Sequence, residues 1–289
     1  MATTQETRLT PQETRLTPQE TAERLDHFIA QHPRLFILTG AGISTDSGIP
    51  DYRDKHSQWK RQPPVQHHDF INKIYTRQRF WARSLIGWPI MRDAIANTAH
   101  HWLVSLESAG HVQSLVTQNV DGLHQQAGLK NVIDLHGRSD RVICMQCQKT
   151  LSRDKAHLWM AELNPSFAAL TATAAPDGDA DLEDVPFEDF VIPDCPSCGG
   201  LLKPDVVFYG DNVPKERVET VLNHLAQSDA LLVIGSSLMV YSGFRFCKRA
   251  HEAKKPIALL NQGITRADSI ATLKLDSVIS PVLEACRAF

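Results

Sequence analysis

A glycine turn that follows an apolar segment near the start of the chain has the residue types of a phosphate-binding loop. Residues 35–38 are Leu, Phe, Ile and Leu, which predicts a buried strand. Gly40 and Gly42 come next, and because they lack a Cβ their backbone can approach a ligand and expose its N–H groups. Ser, Thr and Asp at 44–46 favour a helix that begins just beyond them. Amides at a helix start attract anions, so this segment predicts a phosphate site.

The glycine spacing differs from the usual dinucleotide fingerprint, Gly-x-Gly-x-x-Gly. A third glycine would stand at position 45, which is Thr45, and the region 60–64 is loop-like where a dehydrogenase needs a strand that ends in an acidic residue. A tight strand-to-helix turn without a ligand is therefore an alternative interpretation. Asp51 and Arg53 favour binding, because this charged pair follows Pro50 and could hold the polar part of a nucleotide.

Two Cys-x-x-Cys pairs predict a metal site, and they consist of Cys144, Cys147, Cys195 and Cys198. Two residues between thiolates let one turn present both sulfurs to one ion, and two such turns complete a tetrahedral zinc site. Four thiolates leave no coordination position for water, so the predicted zinc is structural. A redox dithiol is the alternative. The other two cysteines, Cys247 and Cys286, are predicted to be buried thiols.

His136 is the candidate general base among 13 histidines because of its position. It follows the apolar residues 132–135 and precedes Gly137, at the end of a predicted strand. An imidazole can accept a proton at neutral pH, although a lone histidine is also commonly structural. Asn119 and Asp121 end a neighbouring predicted strand and could bind hydroxyl or amide groups. No signature of a hydrolytic nucleophile is evident.

The predicted elements bring these residues to one edge of a sheet. Thr17 to Glu20 fits a capping box with Pro18 at the first helical position, and an apolar helical face follows. Apolar segments at 114–117, 132–135, 230–234 and 256–260 each lead into small, amide or ionisable residues, with helical stretches near 214–227 and 243–254. This alternation predicts an α/β fold with a parallel sheet, whose ligands bind at the carboxyl ends of the strands.

Three segments lie outside this alternation. The sequence of residues 7–13 is repeated at 14–20, and residues 1–16 are predicted to be disordered. Residues 54–104 predict two or three helices in a small lobe whose aromatic residues form its core. Residues 141–205 carry the cysteine pairs and are predicted to be an insertion. Its stretch 176–189 has seven acidic residues and no Lys or Arg, which indicates a solvated loop or, less directly, a surface for a lysine-bearing partner.

Length and composition fit one large globular domain, alone or with a small satellite. The chain has 289 residues, 42% of them hydrophobic, and a net charge of −3, which argues against nucleic acid or an anionic membrane as the main partner. No apolar run is long enough for a membrane span, and no secretory signal is visible. These features favour a reducing compartment: the cytoplasm, or the mitochondrial matrix for a eukaryotic source.

Taken together and in this order, the motifs resemble those of the sirtuins, the NAD-dependent protein lysine deacylases. The motifs that carry the resemblance are the glycine turn at 40–44, the segment 48–53, Thr-Gln-Asn-Val-Asp at 117–121, His136-Gly137, the two cysteine pairs and Gly-Ser-Ser at 235–237. Tyr52, the long segment between the cysteine pairs, residues 176–179 and residues 202–208 are similar to the class II branch. The resemblance covers about residues 35–280.

The resemblance implies a Rossmann-like parallel sheet with helices on both faces, a small zinc-binding module and a small helical lobe. The catalytic domain would span 17–289, divided into Rossmann-like parts at 17–53, 105–140 and 206–289, the lobe at 54–104 and the module at 141–205. NAD would be a consumed co-substrate, and zinc a structural ion. The residues implied to bind NAD are Gly40, Ala41, Gly42, Ser44, Thr45, Asp51, Tyr52, Arg53, Gln118, Asn119, Val120, Asp121, Gly235, Ser236, Ser237, Asn261, Gln262, Gly263 and Ile279. The residues implied to bind an acyl-lysine peptide are Val206, Val207, Phe208, Tyr209, Gly210, Val240 and Tyr241.

The implied reaction is removal of an acyl group from a protein lysine, with nicotinamide and O-acyl-ADP-ribose as the other products. His136 would be the general base, and Asn119 would act beside it at the ribose. Another sirtuin branch binds acidic acyl groups through a Tyr-x-x-Arg pair, which is absent from residues 81–87, so a succinyl preference is not expected. Acetyl, lipoyl and fatty acyl groups remain equally compatible, and the sequence does not predict the oligomeric state.

Three alternative functions share parts of this pattern. A dehydrogenase would have the same fold but would leave its dinucleotide intact. A non-catalytic NAD sensor would need the cradle and the zinc but no base at position 136. A protein ADP-ribosyltransferase would transfer label from NAD to protein.

Overall fold

The computed structural model describes residues 16–287, and the predicted disorder of the N-terminal repeat lies almost wholly outside them. The α-helices are α1 (Pro18–Gln31), α2 (His67–Asn72), α3 (Ile74–Arg92), α4 (Thr98–Ser108), α5 (Leu123–Ala127), α6 (Arg153–Leu163), α7 (Pro165–Ala168), α8 (Lys215–Gln227), α9 (Tyr241–Glu252) and α10 (Ile279–Ala285). The strands are β1 (Leu35–Thr39), β2 (Val112–Thr117), β3 (Val132–Asp134), β4 (Gly137–Cys144), β5 (Thr150–Ser152), β6 (Ala174–Ala175), β7 (Asp179–Ala180), β8 (Leu202–Val206), β9 (Ala230–Ile234), β10 (Ile257–Leu260) and β11 (Leu273–Leu275).

The main sheet has six parallel strands in the order β11-β10-β9-β1-β2-β3, which confirms the predicted α/β fold. The chain order reverses between β1 and β9, so polar loops from both halves of the sheet meet at one point. Open parallel sheets bind ligands at such a switch point. The five strands that the sequence predicts are β1, β2, β3, β9 and β10, and β11, the outermost strand of the sheet, was not predicted.

Helices cover both faces of this sheet because side chains alternate along each strand. Leu35 and Ile37 point to the face that α1, α4 and α10 cover, whereas Phe36 and Leu38 point to the face that α8 and α9 cover. Full burial of one such side chain contributes about 1.5–3 kcal/mol. The predicted capping box of α1 is present, with Thr17 and Glu20 each bonded to the other's backbone N–H.

The segment after β1 differs from the prediction. Instead of an α-helix, two short 3₁₀ turns follow, Ala41–Ile43 and Thr45–Ser47. They end at Gly48, whose φ of 84° is left-handed, and Pro50 then prevents continuation of a helix. Ser44 makes no cap and bonds to another loop instead.

The helical lobe is smaller than predicted, because α4 packs on the sheet with α1 and α10 and brings Trp102 into the sheet's core. Helices α2 and α3 form the lobe proper, and its aromatic residues Phe70 and Trp81 are buried as expected. Ile74 is 56% exposed, so it lies outside that core.

The insertion forms its own three-stranded antiparallel sheet, β5-β4-β8. Its acidic stretch is not a freely solvated loop, because it docks on α3 through ion pairs of Arg83 with Asp179 and Glu183. Gly87 permits this approach, since a Cβ there would lie 2.3 Å from the Asp179 carbonyl oxygen. Among residues 16–287, no helix has the length and apolar character needed to cross a membrane.

Candidate active site

A large cleft of about 1020 Å³ lies at the carboxyl ends of the sheet strands. Its walls come from the sheet edge, the helical lobe and the insertion, so all three regions of the chain contribute. The predicted residues that line it are Gly40, Ala41, Gly42, Thr45, Asp51, Tyr52, Arg53, Gln118, Asn119, Val120, His136, Val206, Val207, Phe208, Tyr209, Gly210, Gly235, Ser236, Ser237, Val240, Tyr241, Asn261, Gln262 and Ile279. Ser44, Asp121 and Gly263 do not line it.

The glycine turn is packed directly against the loop after β9. Gly40 N–H donates to the Ile234 carbonyl at 3.1 Å, and Gly42 N–H donates to the Gly235 carbonyl at 2.8 Å. These two amides are therefore not free for an anion, contrary to the sequence prediction. The glycines allow the loops after β1 and β9 to approach each other closely, since a Cβ on Gly40 would lie 2.7 Å from the Ser236 Cβ. Side chains in that space would separate the two loops that meet at the switch point.

A buried polar chain supports the loop after β2. Asn119 donates from Nδ2 to Ser44 Oγ at 3.0 Å, and Ser44 donates to Asp121 Oδ2 at 2.7 Å. Burial raises the pKa of Asp121, although hydrogen bonds from Leu123 N–H and from side chains act in the opposite direction. Ser44 and Asp121 thus lie behind Asn119 and fix its position at the cleft wall.

His136 is held at both ring nitrogens. Nδ1 lies 2.8 Å from the Gln118 carbonyl oxygen, which can only accept, so Nδ1 carries the proton. Nε2 lies 2.8 Å from Ser242 Oγ, which donates to it when the ring is neutral. Burial lowers the pKa of His136 to about 4, and the nearby Arg217 and Arg245 act in the same direction. The ring is therefore a neutral base at pH 7 with its lone pair on Nε2.

Gln118 connects this histidine to the loop after β9. Its backbone carbonyl binds His136, and its side-chain Oε1 accepts from Ser236 Oγ at 2.6 Å. A Cβ on Gly243 would lie 2.4 Å from Gln118 Nε2, so the start of α9 packs tightly on this amide.

The loop that carries Asp51 and Arg53 forms the outer wall beside the glycine turn. Asp51 pairs with Lys60, and Arg53 donates to the Ser57 carbonyl at 2.7 Å. The Arg53 guanidinium also lies 3.7 Å from the centre of the Trp59 ring, a cation–π contact. These contacts hold the charged pair at the cleft, where the sequence interpretation placed it.

Residues 206–210 run along the cleft on the side of the insertion. The Val207 N–H donates to the His136 carbonyl at 2.7 Å, so this segment lies directly beside the candidate base. Tyr209 packs edge-on against Tyr52 and Trp59. Tyr241, at the start of α9, is 52% exposed and also lines the cleft. An extended chain could lie along these two segments.

Several cleft residues were not among the predicted site residues. Phe80 and Arg83 of α3 line the cleft, as do Ser242 and Arg245 of α9. Asp177 also faces the cleft, in a left-handed conformation with φ of 58° between Pro176 and Gly178. The Asp-Gly pair after a proline indicates a turn, but only the docking of that turn on α3 reveals its place at the cleft.

The four predicted metal ligands form one cluster. The sulfur atoms of the two Cys-x-x-Cys pairs all lie within 4.8 Å of one another. Cys144 Sγ lies 3.5 Å from Cys198 Sγ and accepts from the Gln146 and Cys147 amides. Amide-to-sulfur hydrogen bonds and four converging sulfurs fit a tetrahedral site for one zinc ion. Cys247 is buried, as predicted, whereas Cys286 is only half-buried, contrary to the prediction.

Comparisons with known proteins agree with the fold and the cleft. The family model described as "Sir2 family" matches residues 40–242. An NAD-dependent protein deacetylase of Xanthomonas axonopodis pv. citri is 55% identical over 91% of this chain and 90% of its own length. The mitochondrial NAD-dependent protein lipoamidase sirtuin-4 of Homo sapiens is 45% identical over 91% and 86%.

Solved structures with bound peptides have a similar fold over most of the chain. One of Sir2Tm bound to a propionylated peptide has a TM-score of 0.71 at 28% identity and covers 91% of this chain and 95% of that chain. One of Sir2 with a p53 peptide and NAD+ has a TM-score of 0.70 at 29% identity, with the same coverage. The chain therefore belongs to the Sir2 family, the sirtuins.

Proposed function

We propose that this protein is an NAD-dependent protein lysine deacylase that uses His136 as its general base. The observation that carries the proposal is the neutral imidazole of His136, with its lone pair on Nε2, at the wall of the cleft that Asn119 and the glycine turn also line. The names of the similar proteins support NAD as co-substrate and acyl-lysine proteins as substrates.

The residues of the cleft fit the two halves of NAD. Gly40 to Thr45 and the loops at 235–237 and 261–263 would hold the adenosine diphosphate part. Asn119 and the Asp51–Arg53 loop would hold the nicotinamide ribose. In this role Gly40 and Gly42 act by permitting loop contact, because their own amides are paired with the end of β9.

The proposed chemistry proceeds in two stages. First, the bond between nicotinamide and the ribose C1′ breaks and the acyl carbonyl oxygen of the substrate lysine captures C1′. Second, His136 Nε2 takes a proton from a ribose hydroxyl, and that oxygen attacks the imidate carbon; water then releases the free lysine and O-acyl-ADP-ribose. A positioned base contributes about 10²–10⁴ to the rate of its step. Only the second stage needs His136.

The substrate peptide would lie as an added strand between residues 206–210 and the start of α9. Recognition would then depend mainly on the main chain of the peptide. Acyl groups without a negative charge are favoured, because the Arg83 guanidinium is already bonded to Asp179 and Glu183. An acidic acyl group would have to compete with these two carboxylates.

The cysteine cluster would bind one structural zinc ion. All four positions would be filled by protein sulfurs, so the ion would take no part in the reaction. It would hold the end of β4 at Cys144 beside the start of β8, where Cys144 pairs with Leu202. Metal analysis of the purified protein should find about one zinc per chain.

The test of the proposed function follows nicotinamide and peptide mass together. The protein is incubated with NAD and lysine peptides that carry acetyl, propionyl, lipoyl or succinyl groups. The expected result is equimolar nicotinamide and deacylated peptide with one or more of the uncharged acyl groups. Transfer of labelled ADP-ribose to protein without peptide deacylation would favour a protein ADP-ribosyltransferase. Binding of NAD without nicotinamide release would favour a sensor.

A further inference from the structure

The Ser242 hydroxyl is hydrogen-bonded to the ring nitrogen of His136 that the proposed reaction requires. Its Oγ lies 2.8 Å from His136 Nε2, at the second residue of α9, and both side chains line the cleft. Because the proton of the neutral ring is on Nδ1, the Ser242 hydroxyl donates and Nε2 accepts. The lone pair that would activate a ribose hydroxyl is thus engaged by a protein group.

Two hydrogen bonds on opposite nitrogens fix the plane of the His136 ring. The bond from Nδ1 to the Gln118 carbonyl restrains one side of the ring. The second bond, from Ser242 to Nε2, restrains the opposite side, so rotation about the Cβ–Cγ bond would break both. Ser242 itself is held in place because its neighbour Gly243 packs on the Gln118 side chain, which Ser236 also binds.

We propose that Ser242 is a positioning residue for the general base; the inference rests on the proposed function. In the free protein its hydroxyl keeps Nε2 pointed into the cleft. When NAD and peptide are bound, the ribose hydroxyl replaces Ser242 as the donor to Nε2. After the proton has moved from the ribose oxygen to Nε2, the new Nε2–H can donate to Ser242 Oγ. A hydroxyl suits both states because it donates and accepts, and a hydrogen bond to the charged ring is the stronger of the two.

The test compares the two stages of the reaction in Ser242→Ala. Nicotinamide exchange, measured as incorporation of labelled nicotinamide into NAD in the presence of acyl peptide, reports the first stage. Deacylation reports both stages. We expect about a tenfold fall in kcat for deacylation, with exchange and the KM for NAD near wild type, because misorientation of a base costs its own step. Ser242→Thr keeps the hydroxyl and should recover most of the loss.

The matched control is Ser114→Ala. Ser114 Oγ also bonds a histidine, His224 Nδ1 at 3.0 Å, but far from the cleft. This variant removes a serine–histidine bond of the same kind and should leave both exchange and deacylation unchanged. An equal fall of exchange and deacylation in Ser242→Ala would overturn the proposal, because it would indicate a role in NAD binding or in the fold. Unchanged deacylation would overturn it as well.

A measurement that does not depend on catalysis tests the Ser242–His136 contact separately from the proposed deacylase function. Nitrogen NMR of the histidine rings should show a shift of the His136 Nε2 signal in Ser242→Ala and no shift in Ser114→Ala. Wild-type protein that neither exchanges nicotinamide nor deacylates any peptide would reject the proposed function. An unmoved Nε2 signal in Ser242→Ala would reject the contact itself, whatever the activity.

Discussion

The strands of the main sheet end at a carboxyl edge, which borders the cleft, and begin at an amino edge on the opposite side. Each of these two edges carries a serine–histidine hydrogen bond, and the surroundings give the two pairs different chemistry. At the carboxyl edge, Ser242 bonds His136 at the wall of a large cleft. Towards the amino edge, Ser114 of β2 bonds His224 of α8. The two distances, 2.8 and 3.0 Å, are similar. Residue type and hydrogen bonding therefore do not distinguish a candidate base from a structural histidine.

What differs is how the neighbouring polar groups are used. At the amino edge they bond to each other: Arg34 pairs with Asp229 at 2.7 Å, and Lys255 donates to the Ala226 carbonyl at 3.1 Å. At the carboxyl edge, side chains such as Asn119 are supported from behind and face the cleft. The comparison indicates that the candidate site lies where polar side chains are held by hydrogen bonds and also face a cavity.

Loss of the cysteine cluster should have the largest effect and should act on the carboxyl edge. Cys195→Ser removes one of four zinc ligands, and we expect loss of the metal, unfolding of the β4–β8 sheet and loss of deacylation. Hydrogen exchange should show lost protection in β4 and β8 and retained protection in β2. Cys286→Ser, outside the cluster, should keep the metal. Full metal content and activity in Cys195→Ser would contradict the prediction.

His136→Ala should lower deacylation by about 10²–10⁴ because it removes the base. Nicotinamide exchange should persist, since the first stage does not need this residue. His224→Ala is the matched substitution at the other edge and should leave deacylation near wild type. Comparable losses in the two variants would mean that the edges are not functionally distinct.

Gly235→Ala should destabilise the protein far more than Gly110→Ala, although both glycines are left-handed, with φ of 66° and 82°. A Cβ on Gly235 would lie 2.5 Å from the Ile43 backbone nitrogen, whereas a Cβ on Gly110 would meet nothing within 4 Å. We expect about 1–2 kcal/mol of strain at Gly110 and at least about 3 kcal/mol at Gly235, where a clash is added. Urea unfolding measures both, and equal losses would contradict the crowding of the two loops.

Acid should destabilise the protein through three buried histidines that are neutral at pH 7. Burial lowers the pKa of His100 and His136 to about 4 and that of His124 as well. Between pH 6.5 and 4 the unfolded chain binds more protons, so these groups make the free energy of unfolding fall as pH falls. Asp177 acts oppositely, because burial raises its pKa to about 7. His136→Gln should therefore show a smaller fall than wild type over that range; an identical slope would contradict the prediction.

Arg34→Ala should have the smallest effect. The ion pair with Asp229 is partly exposed, with 61% of the Arg34 side chain accessible, so solvent screens it and its loss should barely change the free energy of unfolding. Deacylation should not change, since this pair lies at the amino edge. A large loss of activity in this variant would show that the two edges are coupled.

The strands and the cysteine cluster were predictable because their signals are local. Apolar runs such as 35–38 and 230–234 directly predict buried strands. The two-residue spacing within each cysteine pair predicts that both of its sulfurs lie on the same side of one turn. The capping box at Thr17 is likewise contained within four residues. His136 was identified by its place after a strand, which the parallel sheet converts into a place at the cleft.

The missed features depend on contacts between distant parts of the chain. The amides of Gly40 and Gly42 are paired only because the loop after β9 lies beside them. The acidic stretch 176–189 was predicted to be a solvated loop, because its cationic partners, such as Arg83, lie on the distant α3. Ser242 could not be identified from the sequence, because serine is common in the first turn of a helix. Only the fold places it within hydrogen-bond distance of His136.

Gly137 joins the candidate base to the insertion, and its surroundings make that joint unusually restrictive. Its φ of 84° disfavours any residue with a side chain, and a Cβ there would lie 2.1 Å from the Asp205 carbonyl oxygen. Two separate steric requirements thus exclude every other amino acid at the position after His136. The insertion consequently cannot be replaced without regard to this junction. Any replacement must keep a glycine after His136, so that the imidazole stays in its position relative to the sheet.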